Sequence, residues 1–420
     1  MSGHFGVVSR CKLVLGVIAG LAVASSFDAR ADRVSLPPET TAISRIALGS
    51  CSFQSEPQPV FRALVEKQPD LYISLGDAIY ADYDLDAKQA YDVSPESLRR
   101  EWQVLADSPD WQYLASRVPV IATWDNHDYG HHSAGREFPL KRESKALFLD
   151  FFGEPADSPR RQREGIYTAY EFGPEGRRLQ IILLDTRSFK SSPLLADRPE
   201  DSSGSLGKYA PLDDPGATLL GDAQWQWLSA QLAKPADLRL IVSSGQVIAD
   251  QKGMDEWGNY PQERERLFRL IASVGADRVL LLSGNVHFSE VSITALESKP
   301  LLDFTSSGLT HVDVDYALVS NPYRVAGPVV VESFGLVEID WDRPGVYGLT
   351  LSAITAQGLT AMQYRFGVLS EGSGPPTRLE RVQVPTDNTR LDVKPGPFKR
   401  SEVRPYGQKP EDRYGKDFPN

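Results

Sequence analysis

Leu71-Tyr72-Ile73-Ser74-Leu75-Gly76-Asp77-Ala78-Ile79-Tyr80 is an apolar run that stops at Gly-Asp and then offers a tyrosine three residues later. About five apolar residues between turn signals read as a core strand of an α/β sheet. Ligands of such sheets gather at the carboxyl ends of strands, where Asp77 and Tyr80 stand. A carboxylate bridges two cations with its two oxygens, and a phenolate is a hard, electron-rich ligand. Taken alone, the stretch favours the plainer reading of a strand and an ordinary Gly-Asp turn; its neighbours decide.

On one side, Ile43 to Leu48 reads as a strand with Gly49-Ser50-Cys51 at its carboxyl end. Pro57 to Lys67 has the prolines and apolar spacing of a helix, so strand, helix and strand form a βαβ unit with parallel pairing. On the other side, the loop after Tyr80 holds Asp82 and Asp84, which read as solvated charges. Ser94 and Pro95 open a helix. Val118 to Thr123 is a third strand, ending in Trp124-Asp125-Asn126-His127-Asp128-Tyr129-Gly130. Asn126 offers a neutral oxygen to a hard cation, and His127 a proton or hydrogen bond to an anionic substrate. His131 and His132 read as exposed. Leu179 to Leu184 ends in Asp185-Thr186-Arg187, where Arg187 reads equally as a phosphate contact and as a partner of Asp185. Leu238 to Val242 leads into Ser243-Ser244-Gly245-Gln246, without a histidine, and Arg278 to Leu282 into Ser283-Gly284-Asn285-Val286-His287. Val329 to Ile339 and Val346 to Ile354 alternate as strands and are expected in a second sheet.

Composition bounds the rest. The 420 residues, 41% hydrophobic and 24% charged, describe a globular chain, and a formal charge of −11 argues against nucleic-acid backbone as a partner. Arg10 and Lys12 precede an apolar run, Leu13 to Ala24, that is shorter than the roughly 20 residues of a membrane span and suits a signal-peptide core. Residues 1–31, ending in Ala29-Arg30-Ala31, are expected to be a cleaved signal peptide, with export to the periplasm or medium. Residues 32–372 are expected to form one domain, with no membrane span, and 373–420 a Pro-rich charged tail. Cys11 lies in the leader, so Cys51 is the only thiol of the mature chain. It has no internal disulfide partner, and its place at a strand end favours a metal ligand.

In order, Gly-Ser-Cys at 49–51, Gly-Asp-x-x-Tyr at 76–80, Trp-Asp-Asn-His-Asp-Tyr-Gly at 124–130, Leu-Asp-Thr-Arg at 184–187 and Ser-Gly-Asn-Val-His at 283–287 resemble the alkaline phosphatase D (PhoD-like) family of the calcineurin-like metallophosphatases. The resemblance implies a four-layer α-β-β-α sandwich with a metal site at the carboxyl ends of the strands. It implies iron(III) held by Cys51, Asp77, Tyr80 and His287, and calcium, or magnesium or manganese, held by Asn126 and Asn285, with Asp77 bridging. His127, oriented by Asp125 or Asp128, is the implied acid, and Arg187 a phosphate clamp. The implied activity is hydrolysis of phosphate monoesters or diesters by a metal-bound hydroxide. Phosphodiesterase or phospholipase D-type activity and a degenerate non-catalytic binding protein are the alternatives. A serine nucleophile at Ser50, Ser244 or Ser283 lacks a G-x-S-x-G elbow. Two departures stand out: no histidine occurs near Gly245 or Gln246, and Asn285 stands where the family often has Asp. His311, in Ser306-Ser307-Gly308-Leu309-Thr310-His311, lies in a stretch that resembles a family segment, and reads either as a cleft-lining residue or as a structural one.

Overall fold

The structure, a computed structural model, describes residue 1 and residues 33–84, 89–90, 92–196, 207–343 and 346–368. The expected signal peptide and the tail from 373 lie outside the described residues. Among the described residues no helix is long and apolar enough to cross a membrane.

In chain order the strands of the two large sheets are β1 (Arg45–Gly49), β2 (Leu71–Ser74), β3 (Val120–Ala122), β4 (Thr168–Phe172), β5 (Leu179–Leu183), β6 (Leu238–Val242), β7 (Val279–Ser283), β8 (Ser289–Leu296), β9 (Lys299–Thr305), β10 (Arg324–Val329), β11 (Ser333–Arg343), β12 (Val346–Thr355) and β13 (Thr360–Val368). One sheet runs β13-β12-β11-β1-β2-β3 and the other β10-β8-β9-β7-β6-β5-β4. The longer helices are α1 (Val60–Glu66), α2 (Pro95–Asp107), α3 (Pro109–Ala115), α4 (Lys141–Phe151), α5 (Gly221–Leu232) and α6 (Pro261–Val274).

Alternation along each strand builds four layers. Ile46, Leu48, Leu71 and Ile73 enter a core shared with Ile181, Leu183, Leu240 and Leu282 of the other sheet. Ala47 and Tyr72, on the opposite face, pack with α1 and α2 residues Phe61, Leu64, Leu98 and Trp102. Ile182, Ile241 and Leu281 do the same toward Trp225 and Leu228 of α5 and Leu267 and Ile271 of α6. Strands covered on both faces read as near-continuous apolar runs, and each side chain so buried contributes about 1.5–3 kcal/mol.

The C-terminal strands are a correction. Expected in the second sheet, they lie instead beside the first strand: β11 pairs antiparallel with β1, Arg45 opposite Glu338 and Leu48 opposite Gly335. The βαβ unit leaves β1 one open edge, and an antiparallel strand closes it without a helical crossover. β11 suits this central place because Phe334 and Leu336 join the helix layer while Val337, Ile339 and Trp341 join the inter-sheet core.

β1, β2 and β3 are parallel, as are β5, β6, β7 and β9. Hydrogen bonds tie the two sheets together at their carboxyl ends: Thr123 Oγ1 donates to the Leu184 carbonyl at 2.6 Å, Trp124 Nε1 to Asp185 at 2.8 Å, and Ser306 Oγ to the Leu48 carbonyl at 3.1 Å. Loops from both sheets therefore meet at one place.

Candidate functional site

Three acids are packed together where β1 and β2 end. Cys51 Sγ lies 3.6 Å from Asp77 Oδ2, and the Tyr80 hydroxyl is hydrogen-bonded to the same thiol. All three are buried. Burial pushes each pKa up; a charged Cys51 would add to the rise at Asp77 and Tyr80, whereas at Cys51 the charge of Asp125 adds to it and the Tyr80 hydroxyl bond opposes it. Ser307 Oγ donates to Cys51 Sγ at 3.2 Å, which favours the thiolate.

The backbone is bent to make this contact. Cys51 (φ 62°), Asp77 (φ 51°), Asn285 (φ 71°) and His287 (φ 60°) all sit in the left-handed region, which non-glycine residues enter only at a cost. Gly76 precedes Asp77 with φ 112°, and a Cβ there would lie 2.6 Å from the Asp125 Cβ. Asp128 holds the turn: its carboxylate accepts backbone N–H groups of Asp77 (2.6 Å), Ala78 (2.9 Å), Ile79 (3.1 Å) and Asp125 (3.0 Å). Asp128 is thus a positioning residue for Asp77 rather than the partner of His127.

That partner is Asp82, 2.5 Å from His127 Nδ1 and buried. Reading Asp82 as a solvated loop charge is corrected by this contact; the loop folds back over the Asn126–Tyr129 turn, where Ala81 N–H donates to the His127 carbonyl. Asp84's side chain lies outside what is described. Burial would lower the His127 pKa, but the charge of Asp77 and the bond to Asp82 outweigh it and the net shift is upward. Tyr80 stacks on the imidazole at 4.2 Å between centroids. His131 and His132 are exposed, as expected, and the His132 ring lies 6.2 Å from His127.

Asn126 is buried with neither side-chain Oδ1 nor Nδ2 hydrogen-bonded. Two orphaned polar atoms on one amide leave a costly, unsatisfied group. Asn285, half-buried, donates through Nδ2 to the Asp255 carbonyl at 3.3 Å, which leaves its Oδ1 to accept or ligate. His287 reaches the cluster through His311: the two rings are 4.3 Å apart, and His311 Nε2 is 3.1 Å from the Tyr80 hydroxyl. Burial lowers the pKa of His287 to about 4 and of His311 to about 2, keeping both neutral near pH 7.

Arg187 does not face the site as a free phosphate contact. Its Nε donates to Asp125 at 2.6 Å, its Nη2 to the same carboxylate and its Nη1 to Asp255, and it is 2% exposed. Nor is the partner the Asp185 carboxylate, which takes backbone N–H groups of Arg187 and Ser188 instead. Lys190 completes the group at 2.9 Å from Asp255. Burial alone would raise Asp255, but the charges of Arg187 and Lys190 hold it well below the usual carboxylate range. Where a metallophosphatase histidine is absent, Gln246 Nε2 donates to Glu290 (2.8 Å) and Thr305 (2.9 Å), and its Oε1 accepts from Lys252 (3.0 Å).

Among the described residues no three His, Cys, Asp or Glu side chains gather closely enough to hold a metal by themselves. The chemistry of the wider donor set nevertheless suits cations. A thiol, a carboxylic acid and a phenol share one dry space, where a bound cation would favour their ionised forms, and an amide with no partner stands at the end of the neighbouring strand. Sequence reasoning missed Asp82, Asp255 and Ser307. Asp82's place two residues after Tyr80 was the only available signal.

A family model for PhoD-like phosphatases matches residues 46–312. The chain is 23% identical over 335 residues to alkaline phosphatase D of Bacillus subtilis (strain 168), an alignment that covers 66% of this chain and 54% of that protein. The chain therefore spans about half the length of the curated relative it matches. A solved structure of PhoD superposes with a TM-score of 0.60 at 18% identity, covering 80% of this chain and 74% of that one, a likeness of fold.

Proposed function

The chain belongs to the PhoD-like phosphatase family, and from that premise we propose that it is a metal-dependent hydrolase of phosphoric esters, monoesters or diesters. The observation that carries the reading is the buried contact of Cys51, Asp77 and Tyr80 beside the His127–Asp82 pair. Cys51, Asp77 and Tyr80, with His287, would hold an iron(III) ion, since thiolate, phenolate and imidazole suit a transition metal. Asn126 and Asn285, with Asp77, would hold calcium, magnesium or manganese through oxygen. Once bound, such a pair supplies an activated water and neutralises phosphoryl charge.

The remaining work belongs to the chain. Asp82 accepts the Nδ1 proton of His127 and fixes the imidazole so that Nε2 is presented to the substrate. A protonated His127 then donates to the leaving oxygen as it separates. Tyr80 and Phe53, whose rings are 4.2 Å apart, form an apolar wall that limits water around the reacting groups. Asp128 keeps Asp77 in place throughout. The apolar run from Leu13 to Ala24 supports export after removal of residues 1–31, which N-terminal sequencing of the mature protein would check.

The test is steady-state hydrolysis of p-nitrophenyl phosphate and bis(p-nitrophenyl) phosphate by the metal-loaded protein, with elemental analysis alongside. At least one ester should turn over, His127→Asn should lose about 10²- to 10⁴-fold in kcat, and chelation should abolish turnover. Full activity in the variant, or in protein stripped of metal, overturns the mechanism. Bound metal without hydrolysis of either ester moves the non-catalytic binding protein ahead.

A further inference from the structure

In an acidic chain, one cavity gathers five cationic side chains in its wall, beside neutral residues such as Ala146, Leu149 and Gln162. It measures roughly 520 Å³ and lies between α4 and the short helix Pro159–Gln162 with the loop after it. Lys141, Arg142 and Lys145 line it from α4, Arg161 faces them from the short helix and Arg163 from the loop, with Glu164 the one acid in the wall. The helical spacing of Lys141 and Lys145 sets both over the same opening.

Two of the five charges are neutralised: Lys141 pairs with Glu164 at 2.7 Å and Arg161 with Asp150 at 2.8 Å. Arg142, Lys145 and Arg163 have no carboxylate partner among the described residues. Lys145 instead donates to the carbonyls of Arg161 and Arg163, which pins the loop to the helix without cancelling charge. Arg163 lies over the Tyr167 ring at 4.0 Å with its Nε buried and unbonded. The charge of Arg163 acts against that of Lys145 across the wall, and an anion in the cavity would relieve it.

We propose that this cavity is a second binding site, for a ligand carrying two or more phosphate groups. A lone phosphate would leave most of the 520 Å³ unfilled and meet only part of the wall, whereas a multiply charged oxyanion matches both its volume and its charge. The site is separate from the candidate active site but joined to it by Asp185. That carboxylate accepts from Ser188 Oγ and the Ile166 N–H beside the cavity floor, and from Trp124 Nε1 at the end of β3. Occupancy needs no hydrolysis, so the proposal stands or falls apart from the catalytic reading.

Calorimetric titration of the full-length, metal-loaded protein with inositol hexakissulfate, a polyanion that is not a phosphate ester, tests it, with orthophosphate as the second arm. Arg142→Glu should weaken hexakissulfate binding at least about tenfold, the scale of one lost charge-assisted hydrogen bond. Arg163→Gln should do the same while kcat and KM for p-nitrophenyl phosphate stay unchanged. Arg269→Glu, on the exposed face of α6, should bind like wild type. Equal weakening by Arg269→Glu would reveal nonspecific charge attraction and overturn the site. So would unchanged binding in both cavity variants, or absence of hexakissulfate binding at millimolar concentration. Orthophosphate bound in the cavity as tightly as hexakissulfate would overturn the multiply charged ligand class.

Discussion

Asp82 is the residue whose role the fold changes most. As partner of His127 it should act through the imidazole and not on substrate. Asp82→Asn is expected to cost at least about tenfold in kcat, part of the 10² to 10⁴ that acid catalysis supplies, and to leave metal content intact. The double variant with His127→Asn should be no slower than His127→Asn alone, because residues acting as one unit are not additive; additive losses in steady-state kinetics would separate the two. Arg187 is the opposite case, a clamp by sequence and a buried ion-pair centre by structure. Arg187→Met should cost about 3–5 kcal/mol in urea unfolding, since it strands Asp125 as a buried charge and leaves Asp255 with Lys190 alone. A raised KM with unchanged unfolding would restore the clamp. Both misreadings have one cause. Cys51, Asp77, Asn126, Asn285 and His287 follow apolar strands directly, so their position could be read from the strand. Asp82 and the partners of Arg187 depend on where loops fold, and residue spacing does not encode that.

At the scale of elements, the turn after β2 is the joint on which the site depends. Gly76 has φ 112°, and a Cβ would meet the Asp125 Cβ at 2.6 Å and its backbone nitrogen at 2.7 Å. The obstacle is main chain, which cannot rotate aside as a flexible side chain can. Gly76→Ala should therefore lose about 2 kcal/mol or more of stability and, at temperatures where it still folds, bind less metal by elemental analysis. Wild-type unfolding together with full metal content would show that the turn tolerates the change. The βαβ start, the three parallel strands ending in Cys51, Asp77 and Asn126, and the capped helix at Ser94 were legible because period, caps and turn residues are local signals. The sheet assignment of β11 and β12 was not. An alternating strand suits either sheet, and the choice was made by the open edge of β1, nearly 300 residues earlier in the chain.

Across the whole molecule, buried titratable groups that lie off the candidate metal ligands set opposing pH limits on stability. Glu290 is fully buried between Lys252 and Arg324. Burial would raise its pKa, but the two cations outweigh that and bring it down to about 2 from an ordinary 4.5. Its contribution is present above the unfolded value and is lost as pH falls from about 4.5 through about 2. Glu256 has the other sign. Its Oε1 accepts the backbone N–H groups of Lys252 and Gly253 at 3.0 Å each, while Oε2 is buried without a partner, and burial raises its pKa to about 8. The folded state holds this proton more tightly than the unfolded chain does, so stability should decline as pH rises from 4.5 through about 8. Glu256→Gln keeps the accepting oxygen, puts an uncharged amide where the protonated oxygen lies, and removes the titration. Its urea midpoint should match wild type near pH 5 and exceed it at pH 9, with the alkaline decline flattened. A variant less stable than wild type at pH 9 would mean that the Glu256 carboxylate is stabilised when ionised, with Lys252 as the cation in reach.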